Sequence, residues 1–335
     1  MKELDTLPPD LRHLCHDQPP TLAHDGGGNL TQGVDPLPII DLQNLNHDKN
    51  KLDEACKDWG LFRLVNHGIP PTLLTQLHDQ AKQVFSLSFE SKKDSFDGSI
   101  VNHFWGTPAL TSSGIGVTSD HQKTNLFEAF HVPLSQLSQF QPQHPQIESF
   151  RVLLVEYGKH LSRIATTLFE AMVKILDLNL EPSKSYLSTD TGYVRVYRYP
   201  HCTNPDIGLG MEVHTDSSFL TILNQQDSVS GLEVLRDNQW LTINPISNTL
   251  IVNVGDLMQA LSDDRYNSVV HRVKVNMQKE RISIGYFVFS DDGVEIKSSK
   301  YKPFTYDQFR EQVQQDVKAF GTKIGLARFK HAQDN

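Results

Sequence analysis

An all-β core of the antiparallel sandwich or barrel type, carrying helical additions, is the fold class predicted for this chain. Two observations predict it. Between residues 191 and 292, β-branched and aromatic runs ("YVRVYRYP", "GLEVLRDNQWLTI", "TLIVNVGD", "RISIGYFVF") alternate with Gly, Asn, Asp and Pro clusters, the pattern of antiparallel strands rather than of a parallel sheet. Ahead of them, Phe150, Leu154, Tyr157, Leu161, Ile164, Leu168, Met172 and Ile175 recur every three or four positions, which predicts about seven turns of supporting helix. The length of 335 residues suits one large domain or two.

Taken in order, residues 1–36 are rich in Pro, His, Asp and Gly, include "HDGGGN", and read as a mostly irregular leader. The next region, 37–135, opens with a short strand in "LPIIDL". A helix follows, with Leu52, Ala55, Cys56 and Trp59 on one stripe. "LFRLVNHGI" is a strand, and "PPTLLTQLHDQAKQVF" a helix opened by Pro, with Leu73, Leu77, Ala81 and Val84 on one face. The long helix is placed at 146–180 and the β core at 189–295. A closing helix at 304–326 carries a capping box between Thr305 and Gln308 and shows Phe309, Val313 and Val317 on one face.

Bulk composition excludes several functions. With 31 Lys+Arg against 40 Asp+Glu, the net charge of -9 leaves no basic surface for nucleic acid or anionic lipid. Three scattered cysteines, Cys15, Cys56 and Cys202, argue against a disulfide framework and for a reducing compartment. No apolar stretch reaches membrane-spanning length, and the N-terminus lacks the apolar core of a signal peptide. The cytoplasm is therefore expected, with no nucleic-acid or membrane partner; the oligomeric state leaves no mark in the sequence.

Chemistry concentrates in "GMEVHTDSSFLTILNQQ", where His214 and Asp216 stand two apart in what reads as a strand, so that both point to one side. Such a pair alone is more often a surface hydrogen-bonded couple. "SVVHRVKV" adds His271 on a second strand, and two His with one carboxylate, leaving other positions open, suit non-haem Fe(II). A structural zinc site would want a fourth ligand, and no nearby cysteine supplies it. On a third strand Arg281 and Ser283 share a face, where a guanidinium fork and a hydroxyl can hold a carboxylate; Tyr199 can reach the same group. The bland alternatives are an Arg paired with a core carboxylate and a packed Tyr. Phe287 and Phe289 continue the Arg281 face by alternation and are candidates to line an apolar cavity, or simply core.

From "LPIIDL" to the C-terminal helix the chain resembles plant iron(II)/2-oxoglutarate-dependent dioxygenases. The resemblance is carried by "WGLFRLVNHGIP", "YRYPHC", "HTDSSFLTIL", "GLEVL", "VNVGDLMQALS", "RYNSVVHRV" and "ERISIGYF", in that order. It implies a double-stranded β-helix, a distorted jelly roll, with iron on His214, Asp216 and His271. It likewise implies 2-oxoglutarate on Tyr199, Arg281 and Ser283, ascorbate supporting activity, and a small-molecule substrate oxidised with dioxygen. Two positions depart from the family: Tyr197 stands where Asn is common, and His201 where a second Pro is. Within the family "HFWGTPALTSS", "EAFHVPLSQLS" and "YKPFTYDQFREQVQQDVKAFGTKIGL" are most similar to gibberellin 2-oxidases, especially of the C20 type, while "GIGVTSDHQKTN" matches less well. That implies 2-hydroxylation of a gibberellin, with Trp105, Tyr197, Phe287 and Phe289 as substrate-lining candidates. The rivals are oxidation of another carbon or of a flavonoid, auxin-like or other terpenoid acid, and, more distantly, a non-catalytic jelly roll that binds a metal or small acid.

Overall fold

A computed structural model of the chain describes residues 3–16, 36–111, 114–119, 125–180, 186–204, 208–225 and 229–331. Its strands are β1 (Ile39–Asp41), β2 (Leu61–Val65), β3 (Asn102–Trp105), β4 (Glu128–Pro133), β5 (Ser188–Tyr199), β6 (Leu209–His214) and β7 (Leu220–Gln225). The second half adds β8 (Leu232–Arg236), β9 (Gln239–Thr242), β10 (Leu250–Val254), β11 (His271–Lys274), β12 (Arg281–Phe289), β13 (Glu295–Ile296) and β14 (Phe304–Thr305). Helices are α1 (Pro9–His16), α2 (Lys49–Glu54), α3 (Pro71–Phe85), α4 (Phe89–Phe96), α5 (Pro145–Ile175), α6 (Asp256–Leu261) and α7 (Tyr306–Phe320).

Eight strands in the order β1-β2-β10-β7-β12-β5-β4-β3 make a major sheet, and β6-β11-β8-β9 a minor one. Every pairing in both is antiparallel except β1 with β2. Tyr197 and Tyr199 of the major sheet pack with Met211 and Val273 of the minor sheet, so the two are facing walls of a distorted jelly roll. The β8–β9 hairpin turns through Asp237 and Asn238 at φ 48° and 60°, the left-handed pair that a two-residue hairpin loop demands.

Strand β12 shows how the sequence sorts its side chains. Ile282, Ile284, Tyr286 and Val288 are all 0% exposed and pack in one core with Tyr157, Leu161 and Leu168 of α5. Arg281, Ser283 and Phe287 alternate with them and face the cavity between the sheets. Each of the four outward residues is worth about 1.5–3 kcal/mol of burial. A one-residue slip would forfeit most of that, which holds the polar set in register.

Helix α5 begins earlier than the periodicity announced, at Pro145, and stops at Ile175, two residues before Asp177 at φ 53°. Capping of α7 is as expected: Thr305 Oγ1 accepts from Gln308 N at 3.3 Å, and Gln308 Oε1 from Thr305 N at 2.9 Å. It ends at Gly321, φ 76°. Within residues 1–36, read as a mostly irregular leader, Pro9–His16 is helical. Eight residues are too few to show a period, and so short a helix holds by docking: Leu11 is fully buried against Leu126 and Cys202. "HDGGGN" lies outside the described residues.

Candidate active site

His214 ends β6 and His271 begins β11, and the two are direct cross-strand partners with ring centroids 4.2 Å apart. Asp216 was expected on the same strand as His214; β6 instead stops at His214, and Asp216 sits in the turn that follows. The carboxylate still converges on the imidazoles because the backbone is pinned there: Asp256 N donates to the Asp216 carbonyl at 2.8 Å. Oδ1 of Asp216 lies 3.9 Å from His214 Nε2 and 3.7 Å from His271 Nε2. One donor atom from each residue falls within 4.8 Å of the others, the only such group of His, Cys, Asp and Glu among the described residues.

Both rings are oriented by their far nitrogens. Nδ1 of His214 lies 2.7 Å from the Glu212 carbonyl and Nδ1 of His271 3.1 Å from the Val269 carbonyl. Each Nδ1 therefore carries the proton and donates, leaving Nε2 as a lone-pair donor aimed at the shared point. Burial first, then His271 beside it, holds His214 far below the usual imidazole range. Burial pushes the Asp216 carboxyl up, but the imidazoles of His271 and His214 outweigh it and keep the group ionised. Two imidazoles presenting Nε2 and one carboxylate are the donor set that fits Fe(II) with open positions.

Arg281 is 1% exposed. Its Nη1 donates to Ser283 Oγ at 3.3 Å and its Nη2 to Gln225 Oε1 at 3.2 Å, both neutral acceptors. No carboxylate of the described residues pairs with it, so the alternative of a core ion pair does not hold. Arg281 Nε and Gln225 Nε2 are buried without a partner. A buried cation with unfilled donors costs several kcal/mol unless an anion meets it, so the chain has left a place for one. Tyr199, paired with Arg281 across the sheet, places its ring 5.1 Å from the guanidinium carbon. A Cβ on Gly231 would stand 2.9 Å from Arg281 Cδ, so that glycine makes room for the side chain.

His214, Asp216, His271, Arg281, Ser283 and Tyr199 line one cavity of about 840 Å³, within the range of small-molecule sites. Tyr197, Phe287 and Phe289 line it as expected; Trp105 does not. On β3 alternation turns Asn102 to the cavity and Trp105 to the opposite face, where its Nε1 donates to Asp10 of α1 at 3.1 Å and its ring meets Phe89 edge-on. The side that a strand residue faces cannot be known until its register is. Sequence reasoning missed three contributors. Asn253 Nδ2 reaches Asp216 Oδ2 at 3.4 Å. Lys323, just past α7, donates to the Thr215 carbonyl at 2.6 Å and pairs with Asp256 at 2.8 Å, tying down the turn between the ligands. Arg195 is a second buried cation in the cavity wall; its signal in the sequence was a charge at an inward position of the apolar run "YVRVYRYP".

Residues 191–290 match the model of the 2OG-Fe(II) oxygenase superfamily, and 37–149 match the N-terminal model described for the non-haem dioxygenase in morphine synthesis. A gibberellin 2-beta-dioxygenase of Arabidopsis thaliana is 35% identical over 88% of this chain and 86% of its own. One from Oryza sativa subsp. japonica is 33% identical over 94% and 90%. Among solved structures, JOX2 in complex with 2OG, Fe and JA superposes with a TM-score of 0.71 at 26% identity, over 88% of this chain and 89% of that one. The rice dioxygenase for auxin oxidation does so with 0.70 at 25%, over 88% and 100%. With the donor set, the guanidinium cradle and these relatives in agreement, the chain belongs to the 2OG-Fe(II) oxygenase superfamily, as an iron- and 2-oxoglutarate-dependent dioxygenase.

Proposed function

We propose that this dioxygenase hydroxylates a gibberellin at C-2, with iron held by His214, Asp216 and His271 and 2-oxoglutarate by Arg281, Ser283 and Tyr199. The observation that carries the site assignment is the pairing, in one cavity, of an open two-His-one-carboxylate cluster with a buried guanidinium that has no counter-ion among the described residues. Iron in that cluster supplies activation of dioxygen at the expense of 2-oxoglutarate and attack on an unactivated C–H bond. The chain's own residues do the rest. Arg281 and Ser283 orient the far carboxylate of the co-substrate by charge-assisted hydrogen bonds, and the carbonyls of Glu212 and Val269 hold both imidazoles in the ligating tautomer. Asp256 and Lys323 fix the turn that carries Asp216.

The gibberellin assignment rests on the Arabidopsis and rice gibberellin 2-beta-dioxygenases at 32–35% identity. Apolar walls from Phe287, Phe289 and Tyr306 suit a rigid terpenoid skeleton. Cys56 and Cys202, both buried and neither in a disulfide, support a reducing compartment, the cytosol. Among the described residues no helix is long and apolar enough to cross a membrane. The test is to incubate iron-loaded protein with 2-oxoglutarate, ascorbate and a panel of C19 and C20 gibberellins, reading products by mass spectrometry. Gain of one oxygen at C-2 is the expected result. Oxidation at another carbon would overturn the 2-oxidase reading, and turnover of a flavonoid or auxin in place of every gibberellin would overturn the hormone class.

A further inference from the structure

Strand β5 carries a second uncompensated guanidinium, two residues along the same face from Tyr197. Arg195 is 8% exposed. Its Nη1 donates to the Pro108 carbonyl at 2.8 Å and reaches Tyr197 Oη at 3.4 Å, while its Nε points to His131 Nδ1 at 3.4 Å. Burial, then the Arg195 charge, keeps His131 well below the imidazole range, so it is neutral. No carboxylate of the described residues pairs with Arg195. The rings of Tyr193, Phe104 and Phe287 lie 5.1, 5.2 and 5.9 Å from its guanidinium carbon. Such faces favour a cation, and none of them supplies the negative charge that a carboxylate would. Across the sheet its neighbour is Gly285, where a Cβ would stand 3.1 Å from the Phe287 ring.

Register separates the two cations. Along β5 and β12 the cross-strand rows run Tyr199 with Arg281, Tyr197 with Ser283, Arg195 with Gly285 and Tyr193 with Phe287. Tyr197 therefore stands between the Arg281 cradle and Arg195, its ring stacked on Tyr199 at 5.9 Å and edge-on to Phe127 at 5.3 Å. Tyr197 is a rigid phenol whose hydroxyl lies beside the Arg195 guanidinium.

We propose that Tyr197 is a specificity-determining residue, its hydroxyl joining Arg195 in a subsite for the carboxylate of the substrate, separate from the 2-oxoglutarate cradle. The subsite rests on the reading of the protein as an oxygenase of small acids, and it names the anchor for that acid. An anion there takes charge-assisted bonds from Nη1 and Nη2 and a third from the phenol, while Phe287 and Tyr193 cover the adjoining skeleton.

The test compares a gibberellin, an auxin and jasmonate, each as free acid and as methyl ester, binding to the Mn(II)- and 2-oxoglutarate-loaded protein without oxygen, by calorimetry. Wild type is expected to bind one of these acids at least tenfold more tightly than its ester. Arg195→Gln should bring that ratio to about one, Tyr197→Phe should lower it severalfold, and Arg195→Lys should keep part of it. The affinity for 2-oxoglutarate reports that each variant is folded, and Tyr197→Phe removes a single oxygen should Arg195→Gln not fold. An acid preference that survives in both Arg195→Gln and Tyr197→Phe, or no acid preference in wild type, overturns the proposal. A preferred acid that is not the gibberellin, lost on Arg195→Gln, overturns the gibberellin assignment and upholds the subsite.

Discussion

Replacing Arg281 with Met separates a binding residue from a structural one, because the two roles give stability changes of opposite sign. Arg281 is buried, donates to Ser283 and Gln225 and lies over the Tyr199 ring, all neutral groups, with Nε unpartnered. Burial alone draws its pKa down, so the charged form is held at a cost while the cradle is empty. Exchanging buried charges for apolar groups of similar volume is often neutral or stabilising by about 1–4 kcal/mol. Arg281→Met should therefore leave the 2-oxoglutarate-free protein as stable as wild type or more so, while abolishing measurable 2-oxoglutarate binding. Arg281→Lys keeps the charge and loses the two-pronged geometry; at about 1.5–3 kcal/mol per charged hydrogen bond, losing one prong weakens binding about ten- to a hundredfold. Ser283→Ala removes a neutral hydroxyl and should weaken it severalfold. Binding is measured by calorimetry on the Mn(II) protein, and stability by urea denaturation without co-substrate. A large loss of apo stability in Arg281→Met, with 2-oxoglutarate affinity intact in Arg281→Lys, would refute the cradle and return Arg281 to the core.

His214→Ala, Asp216→Ala and His271→Ala should each abolish metal binding and succinate release, since two remaining ligands cannot hold Fe(II); near-wild-type metal titration of the Asp216 variant would remove the assignment. Glu128 is buried with Lys92, His103 and Arg198. Burial pushes its carboxyl up, yet the Lys92 ammonium and its neighbours outweigh this and bring it to about 2 from 4.5. A depressed carboxyl stabilises fully above its unfolded value, so about 3 kcal/mol should be lost as pH falls from 4.5 towards 2. Glu128→Gln, which leaves Lys92 buried without an anion, should be destabilised at neutral pH with a flatter acid limb in urea denaturation. Trp105→Phe should cost about 1 kcal/mol of stability through the lost bond to Asp10 and leave the substrate KM unchanged; a raised KM would place Trp105 in the cavity after all.

The sequence alone carried every metal and co-substrate candidate, because these are residue types with few other reasons to stand where they do: two His and an Asp near strand ends, and a polar pair, Arg281 and Ser283, alternating with Ile282 and Ile284. Periodicities of two and 3.6 are local properties of the backbone, so β1, β2, the strands between residues 191 and 292, α3, α5 and the capping box of α7 were legible too, while β3 and β4 were not. What the sequence left open were contacts that depend on distant segments. Trp105 faces α1 rather than the cavity because the pairing of β3 with β4, not composition, decides which face is inward. Asp216 sits in a turn whose position is set by Asp256 and Lys323, 40 and 107 residues further on. Arg195 is a charge in a strand until the sheets close; only then do Gly285, His131 and three aromatic rings surround it, with no carboxylate of the described residues beside it. Packing and register, which join residues far apart in the chain, turned a list of suitable side chains into one cavity lined by a two-His-one-carboxylate cluster and two buried guanidinium groups.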